Sequence, residues 1–287
     1  MTALIVGGYD DNSLKTTEII SQGHTCSSNS LPSLSTGISW RPSLVHTSEE
    51  ETLLCGGYGN EQKCLELKDN QWQEHSSLKN ERIHASAVST PGGIFIFGGN
   101  DSRTTWEWLP KGTNQWQSGN SSIPGGFWRG CAVKINNYEI LLIGGWRAWR
   151  RVLKFDITTE QFTSLGDVLN HGRSSHSCIR FKDDVIITGG WNSEYLSSTE
   201  VIKLHDLTTA HSVGELFQAR SSHGLVVVHF DNKETVLAVG GECAEKSLDS
   251  IEMWNSTTMT WTTASMKLTE PKDDFGILSL PARLVCS

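Results

Sequence analysis

Hydrophobic and polar positions along this chain repeat with a long period. Six times a short apolar run stops on a pair of glycines: ALIVGGY ending at Tyr9, TLLCGGY at Tyr58, IFIFGGN at Asn100, ILLIGGW at Trp146, VIITGGW at Trp191 and VLAVGGE at Glu242. The second glycines, Gly8, Gly57, Gly99, Gly145, Gly190 and Gly241, stand 42 to 51 residues apart, and such a period marks a repeat architecture. Each run is too short for a helix and is rich in Val, Ile, Leu and Phe, so it reads as a strand buried on both faces.

Each glycine pair is followed by a polar loop and a further strand, which carries a glutamate in five copies: Glu18, Glu66, Glu107, Glu200 and Glu252. The fourth copy, Val152–Phe155, lacks it. An outer strand is marked by Trp72, Trp116, Phe162 and Trp261, and is preceded by turn residues. Before each glycine pair a fourth strand opens at Arg82-Ile83-His84, at Trp128-Arg129-Gly130, or at RSSH in 173–176 and 220–223. The pattern predicts an all-β fold, a six-bladed β-propeller of four-stranded antiparallel blades filling residues 1–287 as one domain. Met1 enters on the second strand of a blade, while Lys272–Gly276 matches the strand-opening RSSHG. A C-terminal strand at about Asp274–Leu280 is therefore expected to join the N-terminal sheet and close the ring, leaving no free sheet edge.

The apolar run, Gly-Gly, aromatic, acid-bearing strand and spaced Trp resemble the kelch repeat over essentially the whole chain. That resemblance implies a protein-interaction module, such as a ubiquitin-ligase substrate receptor or an actin-binding cytoskeletal adaptor, proteins that commonly carry a BTB or F-box segment. It leaves as the alternative a carbohydrate-active enzyme of the sugar-oxidase or sialic-acid-mutarotase type. It also implies that the residues after the glycine pairs and those opening the innermost strands line one mouth of the central channel. On this basis the expected partner-binding residues are Tyr9, Tyr58, Asn100, Arg129, Trp146, Arg147, Arg173, Ser174, Trp191, Arg220 and Ser221, with Arg82 and Lys272 near the same mouth.

Composition narrows the function. With 24 basic against 32 acidic residues the net charge is −8, which argues against a general nucleic-acid binder. No window reaches the roughly 18 apolar residues of a membrane span. Seven cysteines at irregular spacing suggest reduced thiols and a cytoplasmic location, with Cys55 and Cys64 placed to face each other across adjacent strands. The sequons at Asn120 and Asn255 keep an extracellular alternative open.

Candidate chemistry is sparse. His84, His176 and His223 read as equivalent positions on three inner strands, whose counterparts Trp40, Arg129 and Phe275 supply no carboxylate or thiolate, so a hydrogen-bonding role inside each blade is expected, with no metal and no cofactor. A mutarotase would need an acid and a base on the pocket face, and Glu242 and Asp274 can be placed there. No GxSxG, phosphate loop or HExxH occurs. The chain is therefore expected not to be an enzyme. The stretch Trp146–Arg151, WRAWRR, concentrates residue types enriched at interface hot spots. The expected partner is a protein or peptide with an acidic or phosphorylated segment, bound by a monomer.

Overall fold

The computed structural model describes residues 2–21, 24–26, 32–46, 51–230 and 233–280. Six four-stranded antiparallel sheets form six blades, with no helix among the described residues. The innermost strands are Gly276–Leu280, Ser43–His46, Ser86–Thr90, Cys131–Lys134, Ser177–Phe181 and Gly224–Phe230 for blades 1 to 6. Each packs beside the innermost strands of its two neighbours, so the blades form a circle. Blade 1 is built from both ends of the chain: Gly276–Leu280 pairs with Thr2–Val6, in register from Thr2 opposite Leu280 to Val6 opposite Gly276. The expected closure is present.

The second strands, such as Thr2–Val6 and Gly93–Phe97, are buried along their whole length, because each is covered on both faces by adjacent blades. Between blades 3 and 4, for example, Phe95, Phe97 and Trp106 meet Phe155, with the Trp106 and Phe155 rings 4.8 Å apart and edge-on. In blades 3 and 6 an outer tryptophan fastens the blade to the one before. Trp116 donates its Nε1–H to Ser76 Oγ at 3.0 Å, and Trp261 donates to Thr199 Oγ1 at 2.9 Å.

The strand glutamates have a specific partner. Arg82 pairs with Glu107 at 2.8 Å, Arg173 with Glu200 at 2.6 Å, Arg220 with Glu252 at 2.6 Å, and Lys272 with Glu18, all inaccessible to solvent or nearly so. Each arginine also donates to the carbonyl of the first glycine of its own blade's pair, as Arg173 does to Gly189 at 2.7 Å. The glutamates accept the backbone N–H groups of the preceding connection, as Glu200 does from Asn170 and His171. Burial pulls the three guanidinium pKa values down, and the partner glutamate opposes this.

Glu66 is not a member of this set. Glu107, Glu200 and Glu252 lie opposite the residue three before the second glycine, whereas Glu66 lies opposite Leu53, one step further out. Leu65 takes the equivalent place in blade 2 and Leu153 in blade 4. The cation is replaced there too: Leu65 packs with Ile38, and Leu153 with Phe127. Two blades thus fill with an apolar pair the space that four fill with an ion pair.

The first glycine of a pair is constrained by both conformation and space. Gly144 has φ 58° and Gly189 φ 57°, in the left-handed region. A Cβ on either would come within 2.8 Å of the His176 or His223 ring.

Two disulfides correct the expectation of reduced thiols. Cys55 is bonded to Cys64 across the second and third strands of blade 2, and Cys131 to Cys178 across the innermost strands of blades 4 and 5.

Arg173→Ala, which strands Glu200 in the core, is expected to lower unfolding free energy by about 3–5 kcal/mol in urea titration. The double change Arg173→Phe with Glu200→Leu, copying blade 4, should recover most of that loss. A double variant no more stable than the single one would show that the two kinds of pair are not interchangeable.

Candidate functional site

Each innermost strand is entered through a residue in the left-handed region, Trp40, His84, Arg129, Ser175, Ser222 or Asp274, with φ between 49° and 56°, and in blade 2 Arg41 follows Trp40 there at φ 55°. None is glycine, and such conformations cost of order 1 kcal/mol each. A circle of backbone hydrogen bonds holds them. Ser222 donates to Ser175 O, Ser175 to Arg129 O, Arg129 to His84 O, His84 to Trp40 O and Asp274 to Ser222 O, at 2.7–3.3 Å; Arg41 N–H to Asp274 O at 2.9 Å completes the turn. This ring forms the neck of the channel, and the loops after the glycine pairs rise around it as the mouth.

The alignment of histidines changes accordingly. His84 belongs with Ser175 and Ser222, while His176 and His223 sit one residue later, level with Arg41 and Phe275. His176 and His223 lean on the preceding glycine pairs, and His223 Nε2 is 2.7 Å from Thr188 Oγ1. Burial, followed by the neighbouring arginines, keeps all three imidazoles neutral, with pKa values well below 6.5. Among the described residues no three His, Cys, Asp or Glu side chains form a metal-ligand set.

An arc of aromatic rings runs over half of the mouth. Tyr58 lies 4.4 Å from Trp40, Trp40 stacks towards His84 at 6.2 Å, and His84 meets Trp128 at 6.4 Å. Trp146 then packs on Trp128 at 5.9 Å, Trp149 at 5.0 Å and Trp191 at 5.8 Å. Arg103 lies over the Trp128 ring at 4.6 Å, held by Asn100, and Arg129 lies over it at 5.2 Å. Of the six exposed large hydrophobic side chains among the described residues, four (Tyr9, Trp40, Tyr58 and Trp146) stand at this mouth, which makes it the one concentrated apolar surface.

The opposite half is acidic. Tyr195 donates its hydroxyl to Glu242 Oε1 at 2.8 Å, and burial together with that bond pushes its pKa up to about 12. Asp273 is buried and accepts from Ser247 Oγ at 2.7 Å. Burial chiefly, then the adjoining Asp274, with Glu242 and Asp10 adding, pushes its carboxyl up to about 8, partly offset by the Ser247 bond.

The residues expected at the mouth divide into two groups. Tyr9, Tyr58, Asn100, Arg129, Trp146, Arg147 and Trp191 are at its surface. Arg173 and Arg220 are fully buried in their blades, and Arg82 and Lys272 likewise, so these four turn their charge inward to glutamate and cannot present it to a partner. Ser174 and Ser221 are buried under the loops, each bridging backbone to backbone with Trp191 and Glu242. Within WRAWRR, Arg147 and Arg150 are exposed, Arg150 being tied to Leu169 O, while Arg151 is half-buried and bonded to Gly126 O. Sequence reasoning missed Trp40, Arg41, Trp128 and Asp273. Trp40 and Trp128 were visible as aromatics at strand openings; nothing in the sequence marked the other two.

This geometry defines a six-bladed β-propeller with one elaborated channel mouth. The solved structure of YjhT superposes on it with a TM-score of 0.73, covering 89% of this chain and 90% of that one at 12% sequence identity, a likeness in fold. No protein-family model matches the sequence, and no curated protein matches it.

The raised Asp273 pKa sets a pH dependence. An unfolded Asp loses its proton near pH 3.9, so between about pH 4 and about 8 the folded chain holds a proton the unfolded chain has lost. This group's contribution therefore weakens stability as pH rises through that window and is level above it. Asp273→Asn should gain stability relative to the parent progressively from pH 4 to 8 in urea unfolding. A constant difference across the series would contradict the assignment.

Proposed function

We propose that the chain is a kelch-type interaction module that binds a protein or peptide segment across this mouth. The observation that carries the reading is the exposed aromatic arc, which gathers on one face most of the exposed large hydrophobic side chains among the described residues. Tyr58, Trp40, Trp146 and Trp191 supply apolar anchors. Arg129, Arg147 and Arg103 supply the positive charge for an acidic or phosphorylated residue of the partner. Two disulfides favour the extracellular location over the cytoplasmic one. That in turn favours an adaptor at a cell surface over a ubiquitin-ligase receptor or an actin binder.

A second reading has one observation in its favour. Asp273, held as an acid near neutral pH, lies beside Asp274 and near Glu242 on the edge of an aromatic platform, an arrangement that suits acid–base work on a sugar ring stacked on indole. Ring-opening or oxidation of a free sugar by the purified protein, lost in Asp273→Asn, would replace the interaction reading with this one.

Selection of an arrayed peptide library on the immobilised protein tests the interaction reading. Bound peptides should be acidic or phosphorylated, and Trp146→Ala or Arg129→Ala should each weaken them by about 1–3 kcal/mol. Arg147→Glu should weaken them further through repulsion. The reading fails when selected peptides bind all three variants like the parent, or map to the outer strands near Trp72 and Trp116.

A further inference from the structure

Below the mouth, charged and polar side chains meet in the neck without satisfying one another. Arg41 comes from blade 2, yet its Nη2 donates to the carbonyl of His176 on blade 5 at 2.9 Å. Blade 5 lies directly across the circle from blade 2, so this side chain spans the channel. Its second terminal nitrogen, Nη1, is buried and has no hydrogen-bond partner in the protein. Arg129, from blade 4, places Nη2 3.2 Å from His84 Nε2. A guanidinium only donates, so His84 Nε2 is the acceptor, and the neutral ring carries its proton on Nδ1. That Nδ1 is buried, has no hydrogen bond, and lies 3.9 Å from Asp274 Oδ1, which is buried and equally unpartnered. Arg129 Nε is a further buried donor without a partner.

Three unpartnered donors and one unpartnered acceptor therefore belong to side chains within electrostatic reach of one another, and two of the donors belong to permanent cations. Leaving such groups unpartnered costs roughly 1–3 kcal/mol apiece, a cost that a two-oxygen anion would remove. Beneath Arg41 the channel continues as a cavity of about 150 Å³ lined by innermost strands of all the blades, with the His223 and Ser177 side chains on its wall.

We propose that the neck is a carboxylate-binding site formed by Arg41, Arg129 and His84, in which the incoming carboxylate shares one proton with Asp274. The site rests on the reading of the mouth above as a ligand-binding face and gives that face its chemical end-point, the terminal or side-chain carboxyl of the bound segment. The proton is required by the contact itself, since two ionised carboxyl groups both accept and have no donor between them. Two ionised carboxylates cannot sit against each other in a buried site, and Asp274 is already biased towards protonation by burial, with Arg41, Arg129 and the Ser222 hydroxyl opposing. The other titratable groups facing it are His84, held neutral by burial, and the adjoining Asp273. No covalent bond changes: one proton enters with the ligand and bridges the two carboxyl groups.

Acetate is the probe, because it needs none of the mouth. Imidazole nitrogen chemical shifts of the full chain, followed during titration with sodium acetate at fixed ionic strength, should show His84 in the Nδ1–H form and a saturable change on addition. Affinity should rise as pH falls, by up to about tenfold per unit where one proton is taken up with the ligand. Arg41→Gln and Arg129→Gln should abolish the saturable change. Asp274→Asn, which keeps a donor and loses the titration, should bind acetate with little pH dependence. The proposal is overturned by a response to acetate no larger than that to chloride at about 0.1 M, by acetate binding that survives in Arg41→Gln, or by the same pH dependence in Asp274→Asn. Sodium phosphate binding in place of acetate would also overturn it. Peptides that differ only in a free or amidated C-terminus, or in Asp against Asn, identify the source of the carboxyl. Mouth-dependent peptide binding without an acetate response sinks the neck site alone, whereas an acetate response without any such peptide sinks the reading of the mouth.

Discussion

The structure depends on a closed circle of backbone hydrogen bonds at the neck of the channel. Each of six blades contributes a residue forced into the left-handed region, and each is held there by its link to the blade before it. A single such residue would relax at a gain of order 1 kcal/mol. Six in a circle cannot relax singly, since each supplies the acceptor that fixes the next. The strain has a consequence for function. It turns the six side chains inward and upward, so that Trp40, His84, Arg129 and Asp274 converge instead of lying flat against their strands.

Around that circle the blades are held by interchangeable means. Four use a buried cation and glutamate, and two use Ile38 with Leu65 or Phe127 with Leu153. Apolar replacement of a complete buried ion pair is commonly neutral or favourable, while loss of one member is not. The two solutions can therefore coexist in one ring, provided both members change together. The ion pair does one thing the apolar pair does not: its arginine reaches the first glycine carbonyl of the same blade and its glutamate holds the connection from the blade before. In blades 2 and 4 no buried glutamate holds those loops, and blade 4, whose loop is tied by Arg151 to Gly126 O, is where Trp146 and Arg147 emerge.

Much of this was legible in the sequence. The glycine pairs gave the blade count, and the mismatched ends gave closure, because both are set by local backbone demands that repeat. The position of Tyr58, Trp146, Arg147 and Trp191 at the mouth was legible for the same reason, since they lie at or next to the residue after a glycine pair. Arg173 and Arg220 were misplaced because the start of an inner strand lies near the mouth while its side chain can turn back into the blade. A signal for this was present: arginine or lysine and glutamate occur in the same four repeats and are absent together from the other two. Glu66, one residue out of register, hid it. Arg41 and Asp273 carried no such signal, because their roles come from reaching across or around the channel to groups on other blades.

Closure as one cooperative ring is the central claim, and amide hydrogen exchange measures it directly. The amides of Arg41, His84, Arg129, Ser175, Ser222 and Asp274 should be among the slowest in the chain and should share one opening free energy, equal to that of global unfolding. Rates that differ blade by blade, with Arg41 and Asp274 exchanging quickly as two loose ends, would contradict it.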